Sequence, residues 1–398
     1  MYPQYNTMDV IGLQWFLFSV LNVLFFLYSY FTLGLKFNFR PPLKIFILLL
    51  CFMFISITYS SNMTLAIQDF SRWLQVFCMA WLFSIHFSNS KISTIVIAKF
   101  FFFYLFIEIN WILLPLYYEL YLNGFEILNA VSIDPGVFNG LTGNKNIAAA
   151  SVVVKLPCAL YLLNSKKYLW KFLGSIAVIL SIISIAFISA RASFISLGLI
   201  LFFTLFHGLF YKQRRILFYS FFIISVFTGF LLSYLFLPKV DGSLITKKIA
   251  SISFTDNGSS GRTILWENAI DYGLKHPLTG GGLGSWKIES APYWNTHGSN
   301  YLVPYHAHND FLELFAELGF IGFFLYLILF IVLAFKFIEN SILSKSSNSS
   351  FYFFCTLSLG AFLVDSVFNF PMERTIMMIP FAVLIILAET SLLIRDEK

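Results

Sequence analysis

The stretch from His306 to Gly319 gathers groups that could do chemistry: His306, His308, Asn309, Asp310, Glu313 and Glu317. They fall where a polar loop runs into a long apolar segment. Ionisable groups beside hydrocarbon are costly unless they face a cavity or one another, so this cluster marks the first place to look for function. Histidine titrates near neutrality, which suits proton transfer. His308 reads either as a satisfied structural histidine or as a general base, or hydrogen-bond orienter, for an attacking hydroxyl. His306 lies two residues earlier and would not share a helical face with it, so one acting histidine is expected. A zinc site from His297, His306 and His308 lacks a fourth ligand. No metal and no cofactor are expected, and there is no Asp-x-Asp pair for a metal-bound sugar nucleotide.

Three arginines extend the pattern. Arg191 is set among small residues in Ser189-Ala190-Arg191-Ala192-Ser193, Arg262 opens a loop helix, and Arg374 closes Pro371-Met372-Glu373-Arg374. Arginine stays charged and grips phosphate with a planar fork. The blander readings are a headgroup anchor for Arg191, a surface charge for Arg262, and an interfacial anchor or a partner of Glu373 or Asp365 for Arg374. On the topology below, all three reach the same membrane face as His306 and His308. A lipid-linked phosphate or diphosphate is the simplest common ligand.

The elements that must position these residues follow from composition. The chain is 398 residues, 58% hydrophobic and 12% charged; soluble domains carry about 25% charged residues. Its apolar runs reach the roughly 20 residues a helix needs to cross a bilayer. They lack the alternation of barrel strands. The fold class is therefore all-α, a polytopic transmembrane helical bundle of about 11–12 spans. The formal charge of +6 belongs to short loops that fix orientation and does not imply nucleic acid. Cys51, Cys78, Cys158 and Cys355 lie in apolar runs without metal-ligand spacing, and no disulfide is expected. The N-terminus lacks the features of a removable signal peptide.

Spans are expected at 11–33, 43–60, 73–88, 95–118, 147–164, 169–190, 192–211, 216–237, 311–335, 351–370 and 375–394. Lys36, Arg40, Lys44, Lys91, Lys99, Lys166, Lys167, Lys171, Lys212, Arg214, Arg215, Lys336, Lys345, Arg395 and Lys398 mark one set of short loops as cytoplasmic. Arg72, Lys145, Arg191 and Arg374 fall in the sparser outer set. The chain divides into N-terminal helices (1–118), an outer loop (119–146), central helices (147–237), a long extracytoplasmic loop (238–310) and C-terminal helices (311–398), within one integral-membrane domain. In the long loop, Thr263–Lys275 has a helical apolar stripe. Ser260 is placed to cap it and Pro277 to end it. Another helix is expected from near His308 into the next span. The run Thr279-Gly280-Gly281-Gly282-Leu283-Gly284-Ser285-Trp286 lacks the Lys-Ser/Thr ending of a phosphate loop and reads as a tight turn. Glu108 and Lys155 fall at similar depth in adjacent antiparallel spans, so a buried pair is expected, with a proton relay as the alternative.

Taken together, Gly261-Arg262-Thr263-Ile264-Leu265-Trp266 with His276-Pro277-Leu278-Thr279-Gly280-Gly281-Gly282-Leu283-Gly284, then His308-Asn309-Asp310-Phe311-Leu312 with Glu317-Leu318-Gly319, and the Ser-Ala-Arg turn at Arg191 preceded by Gly143-Asn144-Lys145-Asn146, resemble the bacterial O-antigen ligase and polymerase superfamily. The strong part covers roughly 180–335. The resemblance implies a metal-independent, inverting glycosyltransferase of the bacterial cytoplasmic (inner) membrane, with its site on the periplasmic side. Its donor would be a glycan on undecaprenyl diphosphate, and its acceptor lipid A-core or a second lipid-linked glycan. Arg191, Arg262 and His308 would be catalytic. His306, Asn309, Glu317, Asn144, Lys145, Asn146 and Arg374 are the candidate substrate-binding residues. Ligase is the first expectation, polymerase the next, protein O-oligosaccharyltransferase the third. A membrane transporter is the alternative of another class; no inverted repeat supports it. Partners are the donor, the acceptor and membrane lipids, with no nucleic acid.

Overall fold

The computed structural model describes residues 10–89, 93–122, 137–210, 215–236, 262–294, 305–343 and 348–390. Ser260, Gly261, His297, Lys91, Lys212, Arg214, Lys345, Arg395 and Lys398 lie outside the described residues, as do most of the two long loops. The described secondary structure is helical, without strands: a polytopic helical bundle.

The helices are α1 (Val10–Thr32), α2 (Pro41–Ser56), α3 (Met63–Asn89), α4 (Thr94–Leu122), α5 (Lys145–Leu162), α6 (Tyr168–Ile188), α7 (Arg191–Phe210), α8 (Arg215–Phe236), α9 (Arg262–Lys275), α10 (Trp286–Glu289), α11 (Ala291–Trp294), α12 (Asp310–Leu343), α13 (Ser349–Phe368) and α14 (Thr375–Thr390). Each of the eleven expected spans coincides with one of them. Eight are long and apolar enough to cross a membrane, and Arg191–His207 and Thr375–Thr390 are shorter apolar helices. The eleventh, α3, begins ten residues before the expected span, at Met63 rather than residue 73. Arg72 therefore lies inside a helix and is buried, not in an outer loop as expected. The reason is pairing: Arg72 and Asp69 meet partners there, so the helix has no need to start after them.

The chain forms two compact units. The first comprises Met1–Lys91, Ile264–Leu333 and Phe370–Leu393. Within it α3 packs against α1, α2 and α14. The second comprises Ile92–Thr263, Ala334–Asn369 and Ile394–Lys398. There α5 is central, packing against α4, α6, α7 and α13. Its run Ala148-Ala149-Ala150-Ser151 is buried; small side chains let helix backbones approach closely inside a membrane. The expected Glu108–Lys155 pair is present: Lys155 donates to Glu108 and to Ser151, and its ammonium lies 4.1 Å from the Tyr104 ring centroid.

Candidate functional site

In the first unit, α12 begins where Asn309 caps it. The Asn309 side-chain oxygen accepts from the Leu312 N–H at 3.1 Å and its carbonyl from the Glu313 N–H at 2.9 Å. This answers helix donors that would otherwise lack partners. The helix breaks at Gly319 (φ 62°, ψ −162°), and the Gly-rich run fills the gap. Gly281 and Gly282 donate to the carbonyls of Ala316 and Glu317 at 3.0 and 2.8 Å, and Phe320 donates to Pro277 at 2.8 Å. The approach is backbone on backbone. A Cβ on Gly280 would come within 2.2 Å of the Glu317 carbonyl carbon, and one on Gly319 within 2.4 Å of the Leu278 carbonyl carbon. Both glycines also have positive φ, so a side chain is excluded twice over.

This docking brings Glu317 and Glu313 beside residues far away in sequence. Glu317 is buried and accepts from the Trp286 N–H at 3.3 Å. Glu313 bridges the histidine segment: one carboxylate oxygen is 3.1 Å from His306 Nδ1, the other accepts from the Ala307 N–H at 2.9 Å. His308 follows with φ 53°, a left-handed conformation uncommon outside glycine, though histidine takes it more readily than most residues. His306 lies flat on the Phe370 ring (centroids 4.4 Å apart, 14° between planes), and His308 meets the same ring edge-on at 4.9 Å. The Arg374 guanidinium lies 5.3 Å from that ring's centroid.

An ion network fixes the turn that carries Phe370. Lys287, from α10, donates to both Asp69 oxygens at 2.9 and 2.8 Å and to Glu373 at 2.7 Å. Arg72 pairs with Glu373 and, at 3.2 Å, with Asp69. Burial works against the Lys287 ammonium, but Glu373, Asp69 and Glu317 outweigh it and hold the group above its ordinary value. Burial pushes the Glu373 carboxyl up; Lys287, His306 and Arg72 overcome this and bring it to about 2. Burial pulls His306 down, yet Glu313, with Glu373 behind it and Lys287 opposing, leaves it above the ordinary histidine value. A cavity of about 20 Å³ opens among these groups, walled by Asp69, Arg72, Glu313, Glu317 and Glu373 among others; it has room for about one water.

His306, Glu313 and Glu373 place ligand atoms within 4.8 Å of one another, the one such trio among the described residues. Both carboxylates already answer cations or N–H groups of the chain. His297, a member of the zinc trio considered from sequence, lies outside the described residues.

The second unit holds Arg191 and Arg262. Ser189, with φ 56°, turns the chain sharply between α6 and α7 and sets Arg191 at the start of α7. Arg262 opens α9 and donates to Asn369 Oδ1 at 3.2 Å; the Asn369 amide in turn donates to Asp365. Burial lowers the Arg262 guanidinium's affinity for its proton, Asp365 raises it, and Arg191 lowers it again. Asp365 thus reaches Arg262 through the Asn369 amide. In the same unit the Asn144 oxygen caps α5, accepting from Asn146 at 2.9 Å and Ile147 at 3.4 Å; Lys145 and Asn146 form the first turn, half-buried.

The amides of Asn309 and Asn144 therefore hold helix ends, and Glu317 lies inside the packing. Sequence reasoning missed Asp69, Arg72, Lys287, Glu373, Phe370 and Asn369 as site-building residues. The signal available was Asp69 and Arg72, one helical turn apart in an otherwise apolar segment.

Residues 176–327 match the family model described as O-antigen ligase. The match includes Arg191, Arg262, Lys287, His306, His308 and Glu317. The match covers less than half of the chain, and over that part the protein is similar to that family; with the long apolar helices the likeness fits a multi-pass membrane protein. No curated protein matches the chain.

Proposed function

We propose that this protein transfers a glycan from undecaprenyl diphosphate to a hydroxyl of lipid A-core, at the periplasmic face of the bacterial inner membrane. The observation that carries the reading is the Arg262 guanidinium held by Asn369, with Asp365 behind it, inside the matched segment that also contains Arg191 at the start of α7. Two guanidiniums, one of them braced by an amide and a carboxylate, suit a dianionic diphosphate. The Lys and Arg bias of the short loops supports the orientation.

In this reading the acceptor oxygen attacks the anomeric carbon from the side opposite the diphosphate. His308 takes the hydroxyl proton. The carbon–oxygen bond to phosphate breaks, and its electron pair leaves with the diphosphate, whose charge Arg191 and Arg262 meet. Attack in line inverts the anomeric centre. The chemistry needs no metal.

The test is a glycan profile in a strain lacking the gene, with surface lipopolysaccharide and the lipid-linked pool run side by side. Loss of the surface ladder with long lipid-linked chains accumulating is expected. A single repeat on lipid A-core with no long chains in either pool would instead mean a polymerase using the same donor. An unchanged profile in both pools removes the reading. Replacing His308 with Ala should lower transfer about 10²–10⁴-fold; near-normal turnover would take His308 out of the proton-transfer role.

A further inference from the structure

We propose that Phe370 is a positioning residue for this reaction: its ring is the seat that aims His308 and Arg374. The inference rests on the role assigned to His308 above. One buried ring serves three polar groups. His306 stacks on its face, His308 meets it at 79°, and the Arg374 guanidinium lies 5.3 Å from its centroid. An aromatic face attracts a cation and prefers offset-stacked or edge-on partners, so the ring sets orientation as well as distance.

The ring is itself located by the scaffold. Phe370 leads into the short 3₁₀ turn Pro371–Glu373. Trp15 Nε1 donates to the Glu373 carbonyl at 3.1 Å. The Glu373 carboxylate is held by Arg72 and Lys287, and Lys287 by Asp69. The turn is thereby tied to α1, α3 and α10. From the other side Glu313 grips both His306 and the Ala307 N–H. His308 keeps its left-handed backbone between these two holds. Such a conformation persists only where the surroundings over-determine it. Phe370 supplies one hold and Glu313 the other.

The test compares Phe370→Leu, Phe370→Tyr, His308→Ala and a packing control, Phe362→Leu, which removes another buried ring, from α13. Transfer is measured on purified full-length protein in nanodiscs with a lipid-linked donor, normalised to folded protein. Phe370→Leu should lower kcat about 10–100-fold, the loss that a displacement near 1 Å produces, with donor KM changed less than about threefold. Phe370→Tyr should restore kcat to within about threefold. Histidine ring signals of His306 and His308, assigned by His→Gln variants, should lose their ring-current shifts in Phe370→Leu and keep them in Phe370→Tyr. Unaltered kcat in Phe370→Leu, or a loss no greater than that of Phe362→Leu, overturns the proposal. If His308→Ala keeps full turnover, the proton-transfer role is what fails; the seat is then judged on the ring signals alone, and signals that keep their ring-current shifts in Phe370→Leu reject it.

Discussion

In the unit built from α1–α3, α12 and α14, buried and half-buried charges alternate in sign: Asp69, Lys287, Glu373, Arg72, and then Glu313 against His306. In the unit built from α4–α8, α13 and the start of α9, the Arg262 guanidinium is favoured by one carboxylate, Asp365, and opposed by a second arginine, Arg191. The first arrangement locks backbone in place, since each ion is held from more than one side. The second concentrates one sign of charge, which suits an anion arriving from outside. The second unit also contains a closed pair, Glu108–Lys155, so it is able to neutralise charge where structure asks for it. Concentrated positive charge at Arg191 and Arg262 is therefore a local feature of that unit and not a general one.

The sharpest way to break this contrast is to remove a cation from each closed system. Lys287→Met leaves Asp69 and Glu373 buried with one partner fewer, and Lys155→Met strands Glu108. Each should cost about 3–5 kcal/mol in thermal unfolding in detergent micelles, as broken buried pairs do. The rescues should differ. Glu108→Gln added to Lys155→Met should recover most of the loss, because that pair has a single carboxylate. Asp69→Asn added to Lys287→Met should recover only part, because Glu373 stays charged. Equal recovery in both would mean the network is a set of independent pairs.

That network also shows where sequence reasoning stopped. Spans are local: a run of about 20 apolar residues announces itself, and all eleven expected segments are helices. The Glu108–Lys155 pair was legible because depth can be counted along adjacent helices. Asp69 and Arg72 were not, because their partners lie far along the chain: Lys287 is 218 residues beyond Asp69, and Glu373 is 301 beyond Arg72. Two polar residues before an apolar run then look like a loop. The Gly-rich run was readable as a turn, but its contact at Gly319 depends on a helix break that no local pattern signals. Asn309 and Asn144 were noticed for their amides, while the donors that occupy those amides belong to backbone, which composition does not reveal. Arg191, Arg262 and His308 stood out for the opposite reason: their residue types are rare beside hydrocarbon and need no partner to be seen.

The arginines permit the next test. Arg262→Lys keeps the charge but loses the planar fork that reaches Asn369. Transfer should fall about 10–100-fold, roughly the worth of one strong charge-assisted contact, while the melting temperature stays close to that of the parent. Normal transfer with a large loss of stability would make Arg262 part of the scaffold, like Arg72, and would erase the contrast between the units.

The capping amides offer a smaller comparison, one from each unit. Asn309→Ala and Asn144→Ala should each cost about 1 kcal/mol of stability, the usual value of a helix cap. Donor and acceptor KM should hardly change. A KM increase of tenfold or more without loss of stability would return that residue to substrate binding.

The smallest expected effect is a dependence on pH confined to the first unit. Glu313, Glu373 and Lys287 are the charged groups that act on His306, and together with burial they leave it above its ordinary 6.5. A raised value means that the His306–Glu313 pairing contributes fully below about pH 6.5 and is lost as pH rises through the folded-state value. Glu373 behaves oppositely. Its carboxyl is lowered from 4.5 to about 2, so its contribution is complete above pH 4.5 and is lost as pH falls toward 2. Glu313→Gln keeps an acceptor for the Ala307 N–H but removes the charge that His306 answers. The melting temperature of the parent should exceed that of Glu313→Gln at pH 6, and the gap should close as pH rises through the raised His306 value. Arg262 stays protonated throughout, so Arg262→Lys should show no such closing gap. A gap between parent and Glu313→Gln that stays constant from pH 6 to pH 9 would mean that His306 is neutral in the folded protein, held by the Phe370 ring and a neutral hydrogen bond instead of by charge.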